Sequence, residues 1–490
     1  MKKKWIAAIT AASFLTGAGG MYAGIAAWEA GEEPAQPRKE QGEVPPGEAK
    51  LPDELHKVQT AYKVISDQYV DEVNRTDLVE GAIDGMVGSL KDPYSVYMDA
   101  DTVKQFEDSL GSSFDGIGAE ITIEDGKLII VAPVKDSPAE EAGLKPKDQI
   151  VAIDGKSVNG MTMFEAMKKI RGKKGTSVTL GIIRQGLSKP LKVKVKRSEI
   201  PIETVEAKVK KKKGQPIGLI EITSFSENTA KDFKRELKRL EQKEVTGLLI
   251  DVRGNPGGFL DSVQEILKEL VTENKAYMQI EEKGGRKLPF FTETKQVKPY
   301  PIAVLTDEGS ASASEILAAA LKEAEGYPII GEASFGKGTV QQPVALGDGS
   351  NLKLTTHKWL TPNGNWIHQK GIQPDIEVKQ PAYFNAHPLQ ITKPLEREMI
   401  DDNVKSAQMM LKGLGYGPGR TDGYFSEETE QAVRALQLQA KTKQTGVIDQ
   451  RTADYLEQAW LEEIQKDKND VQLQAALMYL SDKQKNRRRS

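Results

Sequence analysis

The stretch Gly247-Leu248-Leu249-Ile250-Asp251-Val252 constrains this chain more than any other. An apolar run without polar alternation belongs to a strand covered on both faces, the pattern of parallel sheets. Its surroundings agree. Residues 218–225 alternate, residues 229–240 keep a helical period, and a helix follows Arg253-Gly254-Asn255-Pro256-Gly257-Gly258 to about Leu270. Residues 302–305 then read as a strand, 314–324 as a helix and Ile329-Ile330-Gly331 as a strand. Strand and helix alternating in this order predict an α/β core.

At 490 residues the chain exceeds one core, and its length predicts roughly three domains. Lys2, Lys3 and Lys4 precede an uncharged stretch over residues 5–28. A basic start followed by an apolar run marks export, with the lysines left in the cytoplasm. The run is long enough to span a bilayer, so a retained signal-anchor is favoured over a signal cleaved near Gly24-Ile25-Ala26. Either way the remainder is expected outside the cytoplasm, on a single-pass bacterial membrane protein or a secreted one. Residues 29–50, rich in Glu, Pro and Gly, read as a flexible linker. Over 51–110 the pattern is helical, with Leu55, Val58, Ala61 and Val64 repeating at three. That region predicts a packing hairpin without chemistry of its own, and a candidate homodimer surface.

From residue 111 to 197 the chain changes to short strands at 128–131, 150–153, 178–183 and 191–195, with helical patches at 139–142 and 163–170. Ser137-Pro138-Ala139 supplies a cap and an N1 proline, and Gly143 a stop. This order, with Gly116-Ile117-Gly118-Ala119 opening a strand, closely resembles a PDZ domain, a small β-sandwich or barrel. The resemblance implies that backbone N–H groups of Gly116, Ile117, Gly118 and Ala119 receive a peptide's terminal carboxylate while the peptide adds as a strand. Arg171 follows the second helix, where it either senses that carboxylate or is a plain surface arginine.

Composition excludes several functions. A net charge of −3 gives no argument for a nucleic-acid partner. The absence of cysteine removes thiol nucleophiles, thiolate metal sites and disulfides. The four histidines, His56, His357, His368 and His387, show no zinc-ligand spacing. Neither a metal nor an organic cofactor is expected.

Chemistry concentrates in two segments. Ser310-Ala311-Ser312-Ala313-Ser314-Glu315 sits where a strand hands over to a helix, whose free N–H groups favour developing negative charge. Lys337 lies between Gly336 and Gly338 in an apolar, β-rich segment. Burial that lowers a lysine pKa from about 10.4 towards about 7–8 makes it a usable base. Composition leaves Ser310, Ser312 and Ser314 equivalent. A phosphate-binding loop is disfavoured, because Gly338 stands where that motif needs Ser or Thr after its lysine.

Taken with residues 251–258, these segments resemble the carboxyl-terminal processing proteases (tail-specific proteases, peptidase family S41) over roughly residues 55–380. The resemblance implies a ClpP/crotonase-like serine protease core over 198–393. It places the nucleophile 25 residues before the lysine, at Ser312, and an orienting glutamine four residues after it, at Gln341. It also implies an oxyanion hole from the N–H of Ala313 and of one glycine in Gly257-Gly258, taken here as Gly257. His357 and His368 are then structural.

Residues 404–458, within a unit spanning 394–460, resemble the small three-helix peptidoglycan-binding domain of bacterial wall enzymes. Leu436 stands where that pattern carries an aromatic, and Lys441 and Lys443 occupy the following loop. Binding of peptidoglycan is thereby only slightly favoured over a structural or dimer-forming role. Residues 461–490 read as a polar helical tail. The expected whole is a multidomain α+β protein. Its expected activity is that of an extracytoplasmic serine endopeptidase with a Ser-Lys-Gln site, acting on protein or peptide substrates with free hydrophobic C-termini. Two alternatives stand beside it: a non-catalytic PDZ and wall-binding adaptor, and an acyl hydrolase of non-peptide esters.

Overall fold

The structure, a computed structural model, describes residues 52–487 except 112, 125, 135–136, 162 and 185–189. The expected signal-anchor and linker lie outside the described residues. Among the described residues no helix is long and apolar enough to cross a membrane.

The first unit contains α1 (Leu55–Gln68), α2 (Arg75–Gly88), β1 (Val96–Met98) and α3 (Ala100–Leu110). Asn74 and Asp99 cap α2 and α3, accepting the N–H of Thr76 and Thr102. The region expected to be helical holds these three helices and also β1, which pairs antiparallel with residues 351–353 of the protease core. Met98, Val103 and Phe106 bury themselves against Phe259, so this unit abuts the loop that carries Gly257 and Gly258.

The second unit contains β2 (Ser113–Gly116), β3 (Ala119–Glu124), β4 (Lys127–Pro133), α4 (Pro138–Glu141), β5 (Gln149–Ile153), β6 (Lys156–Ser157), α5 (Met163–Ile170), β7 (Ser177–Ile183), β8 (Leu191–Lys196) and β9 (Ser198–Pro201). Its sheet runs β3-β4-β5-β7-β8, with β6 on β5, while β2 pairs β9 across the ends of the unit. Val178, Leu180 and Ile182, alternate residues of β7, are all fully buried and face Ala139 of α4 and Ala166 of α5 in one cluster. Ser137 caps α4 by accepting the Glu140 N–H, as its position before Pro138 predicts.

The core contains β10 (Val205–Lys212), β11 (Gln215–Ile222), α6 (Thr229–Glu241), β12 (Leu248–Asp251), α7 (Leu260–Leu267), β13 (Met278–Glu281), β14 (Lys287–Phe290), β15 (Ile302–Thr306), α8 (Ala313–Glu323), β16 (Ile329–Gly331), β17 (Thr339–Ala345), β18 (Asn351–Leu360) and β19 (Ile376–Glu377). Its main sheet has the order β10-β11-β12-β15-β16-β19 and is parallel from β11 onward. A second, antiparallel sheet joins β1, β18, β13 and β14, with β17 also on β18.

Side-chain parity explains the apolar run. Leu248 and Ile250 of β12 pack with α6, α7 and α8 on one face. Leu249 points to the opposite face, where it meets Leu473, Ala476, Leu477 and Leu480. Those four belong to the last helix. After α9 (Asp402–Gly413), α10 (Glu427–Gln439) and α11 (Gln450–Ile464), which share their own core, the chain returns as α12 (Val471–Arg487) and covers the outer face of the main sheet. The expected polar tail is therefore an amphipathic helix of the protease core. Its buried positions 473, 476, 477 and 480 form one stripe at helical period.

Within the three-helix module, Leu436 is a core residue beside Val433 and Leu456. Its departure from an aromatic changes packing, not an exposed surface.

Candidate active site

The loop after β15 and the first turn of α8 carry the three serines, and their hydroxyls have different partners. Ser310 Oγ donates to Val252 O at 2.8 Å, and Ser314 Oγ donates to Asn255 O at 2.9 Å. Both tie the loop to the segment after β12. Ser312 Oγ is buried and has no hydrogen-bond partner among the described residues. Ser312 is the N-cap of α8 and has φ +57° and ψ −110°, a region that a non-glycine residue occupies only under constraint from its surroundings.

Ala313 opens α8, so its N–H has no partner within the helix. Gly257 packs directly against this turn. A Cβ there would lie 2.9 Å from Ala311 O, 3.0 Å from Ser312 Cβ and 3.2 Å from Ala313 N, and its φ is +109°. Glycine is required by space and by backbone alike. Its N–H, however, donates to Asn255 Oδ1 at 2.8 Å. Gly257, expected as an oxyanion donor, provides close approach to the Ser312 turn, with its N–H held by the side chain two residues earlier.

Lys337 enters from the other side. Its side chain is 3% exposed, and burial, followed by repulsion from the buried Lys353, brings its pKa down to about 7 against the opposing pull of Glu315 and Asp92. Lys353 is itself lowered to about 8 by burial. The flanking glycine is explained by packing. A Cβ on Gly336, at φ +90°, would lie within 3.0 Å of three backbone nitrogens in residues 369–371.

One buried carboxylate joins the two loops. Glu315 Oε2 accepts the N–H of Ser312 and of Lys337, each at 2.8 Å. Glu315 Oε1 accepts the Gly336 N–H at 2.7 Å and the Ser334 hydroxyl at 2.5 Å. Burial pushes this carboxyl above its usual range, although its donors pull the other way. The main chain adds a direct link, Phe335 N–H to Ser310 O at 3.0 Å.

Gln341, on β17, is buried. Its Nε2 donates to Thr339 Oγ1 and Thr355 Oγ1, both at 3.0 Å, leaving Oε1 without a hydrogen-bond partner among the described residues. Ser312 and Lys337 thus meet at Glu315, Gly257 packs against the Ser312–Ala313 turn, and Gln341 follows the lysine by four residues on β17.

Sequence reasoning overlooked four side chains near this cluster. Glu315 is foreshadowed by its place three residues after Ser312, the spacing of a capping box. Tyr94 and Asp92, in a unit expected to lack chemistry, had no such signal. The Tyr94 ring centroid lies 4.8 Å from Lys337 Nζ. Lys353 is buried on β18, with its Nζ 4.9 Å from the Phe106 ring centroid.

His357 and His368 make other contacts. His357 Nδ1 pairs with Thr356 Oγ1 at 2.8 Å, and His368 stacks on Trp366 with ring centroids 5.1 Å apart. Among the described residues no group of His, Asp or Glu could hold a metal ion.

The carboxylate-loop residues lie apart from this cluster, in the second unit. Gly116, Ile117 and Gly118 are buried at the junction of β2 and β3. Ile117 O accepts the Ala139 N–H at 2.8 Å, and Gly118 O accepts the Ser137 hydroxyl at 2.8 Å. Ala119 begins β3. Arg171 is exposed, with its guanidinium 4.8 Å from the Phe114 ring centroid on the strand that ends at Gly116.

Comparison with known proteins agrees with these units. The profile of peptidase family S41 matches residues 216–378, and the PDZ domain profile residues 115–195. The N-terminal domain of the activating protease CtpB matches 14–102, and a peptidoglycan binding domain 401–456. The chain is similar to the carboxy-terminal processing protease CtpB of Bacillus subtilis (strain 168), with 54% identity covering 98% of this chain and 99% of that one. It is 42% identical to the carboxy-terminal processing protease CtpA of the same organism, covering 86% and 89%. Among solved structures it is similar to a photosystem II D1 C-terminal processing protease, at 26% identity over 67% of this chain and 94% of that chain, with a TM-score of 0.41. The chain belongs to peptidase family S41, as a serine-type carboxy-terminal processing protease with a PDZ domain.

Proposed function

We propose that Ser312 is the nucleophile and Lys337 the general base of an extracytoplasmic endopeptidase. The observation that carries this reading is the pairing of a buried, uncommitted Ser312 hydroxyl with a buried lysine lowered to about 7, on two loops joined through Glu315. Neutral Lys337 removes the Ser312 proton as Oγ attacks a peptide carbonyl. The N–H of Ala313 stabilises the tetrahedral oxyanion. Lys337 then protonates the leaving amine, and water releases the acyl-enzyme. Gln341 orients the base through its Oε1.

Substrate selection falls to the PDZ domain. Its Gly116–Ala119 loop receives a free C-terminal carboxylate, with Arg171 at the edge of that site and an apolar final side chain in the adjoining pocket. Export by residues 1–28 places this activity at the outer face of a bacterial membrane. The three-helix module binds peptidoglycan, in keeping with its profile match. Self-association uses the first unit, where α1 buries no residue and Val58, Ile65 and Val70 are exposed.

The test compares the full chain with Ser312→Ala on peptides that share one sequence ending in an apolar residue, as free acid or C-terminal amide. Cleavage of the acid ahead of the amide, and no cleavage by the variant, is expected. Equal cleavage by the variant would remove Ser312 from the mechanism, and equal rates on both peptides would remove the carboxylate from recognition.

A further inference from the structure

Residues 92–95 enter the core beside the proposed base. The face of the Tyr94 ring lies against Lys337 Nζ, 4.8 Å from its centroid. His368 packs against the same ring, with centroids 6.1 Å apart and planes at 71°, and is stacked in turn on Trp366. Asp92 fixes the turn. Its Oδ1 accepts the Tyr94 N–H at 3.1 Å, and its Oδ2 accepts the Ser95 hydroxyl at 2.7 Å. Ser95 Oγ then accepts the Thr355 N–H at 3.0 Å, and Thr355 Oγ1 accepts from Gln341 Nε2. One short segment of the first unit therefore touches the lysine directly and reaches Gln341 through two hydrogen bonds.

A buried base has a specific electrostatic problem. Neutral before reaction, it becomes an ammonium where water is absent. An aromatic face attracts that cation but gains little from the neutral amine, so it stabilises the transition state more than the ground state. The Tyr94 hydroxyl is pushed further from ionising by burial and by Asp92 and Glu315, which keeps the ring neutral.

We propose that Tyr94 is a positioning residue for the base: its ring face accommodates the charge Lys337 gains from Ser312, while the Asp92–Ser95–Thr355 chain holds the Gln341 amide in register. The first unit is on this view part of the catalytic apparatus. The inference rests on the assignment of Lys337 as base. The charged and titratable groups facing Lys337 are Glu315 from α8, Lys353 from β18 and Asp92 beside Tyr94, with His368 against the ring.

The experiment measures kcat and KM against pH for the full chain and for Tyr94→Leu, Tyr94→Phe and Lys337→Ala, with thermal unfolding as a fold check. Leucine keeps the site dry and removes the π face. Tyr94→Leu is expected to lower kcat about 5- to 30-fold with KM unchanged, and to move the acid limb of kcat to lower pH. Tyr94→Phe is expected to restore both. Wild-type kcat and acid limb in the leucine variant, or an equal fall in the phenylalanine variant, overturns the proposal. If Tyr94→Leu does not fold, Ser95→Ala reads the same chain through Gln341. It is expected to lower kcat at unchanged KM, and wild-type kcat there also overturns the proposal. Activity retained in Lys337→Ala would instead remove the base assignment itself.

Discussion

Ser312 and Lys337 donate their backbone N–H groups to the same oxygen, Glu315 Oε2, each at 2.8 Å. The loop of the proposed nucleophile, which follows β15, and that of the proposed base, which precedes β17, are thereby set against each other by one buried carboxylate. These main-chain anchors fix how the Ser312 and Lys337 segments face each other. Small errors in such spacing are amplified in rate, because proton transfer requires near-contact geometry.

Glu315→Gln tests that arrangement. The amide keeps one acceptor but turns an NH2 towards two donors, leaving them buried and unpaired. Each such donor costs about 1–3 kcal/mol, so a loss of about 2–6 kcal/mol in unfolding free energy is expected. Activity should fall at least about tenfold even where the variant remains folded. Denaturant unfolding and kcat/KM on one peptide check both parts.

The pH profile follows from Lys337. As the proposed base its active form is the neutral amine, and burial with Lys353 has lowered its pKa to about 7. Activity therefore rises as pH increases through about 7 and levels above it. The same shift affects stability. Between about 7 and the unfolded value near 10.4 the unfolded chain binds a proton that the native state has released, so stability increases with pH across that window. Lys353→Met removes a neighbouring positive charge and should shift the acid limb of kcat/KM upward. A downward shift would show that Lys353 acts through packing alone.

Gly257→Ala is expected to inactivate through the turn it displaces. The new methyl would lie 2.9 Å from Ala311 O and 3.0 Å from Ser312 Cβ, at φ +109°. Strain of about 1–3 kcal/mol is expected in the melting curve, and the displaced Ser312 turn should lower kcat more than it raises KM.

The last helix gives a prediction remote from the site. Leu477 is buried against the outer face of the main sheet, so Leu477→Ala should cost about 2–5 kcal/mol. Asp470, just before that helix, receives Arg253 Nη1 and Nη2 at 3.0 and 2.8 Å, and Arg253 also grips Asp251. Asp470→Ala should therefore loosen the 253–258 loop, seen as faster amide exchange in that loop and a lower kcat at little change in KM.

How far the sequence speaks depends on the range of the interaction. β12, the capped α4 and the serine-to-lysine spacing are local patterns, and each is legible. The stripe Leu473, Ala476, Leu477 and Leu480 is also local, but Ala475, Met478 and Tyr479 between its members extend the apolar run around the helix and mask its period. The two-sided burial of Leu248-Leu249-Ile250 was the stronger clue, since it demands a cover for both faces. β1 is too short to carry a pattern, and it forms because residues 351–353 offer it an edge. Tyr94 lies against Lys337 for the same reason: a distant pairing delivers it. The claim of Asn255 on the Gly257 N–H is a side-chain orientation, which spacing cannot report.

The most direct test of the account is rapid-quench mass analysis of the full chain turning over an activated ester of a peptide substrate. An acyl adduct mapping to Ser312 is expected, forming with an acid limb near 7 and absent from both Ser312→Ala and Lys337→Ala. An adduct on Ser310 or Ser314, or one that forms at the wild-type rate in Lys337→Ala, would contradict it.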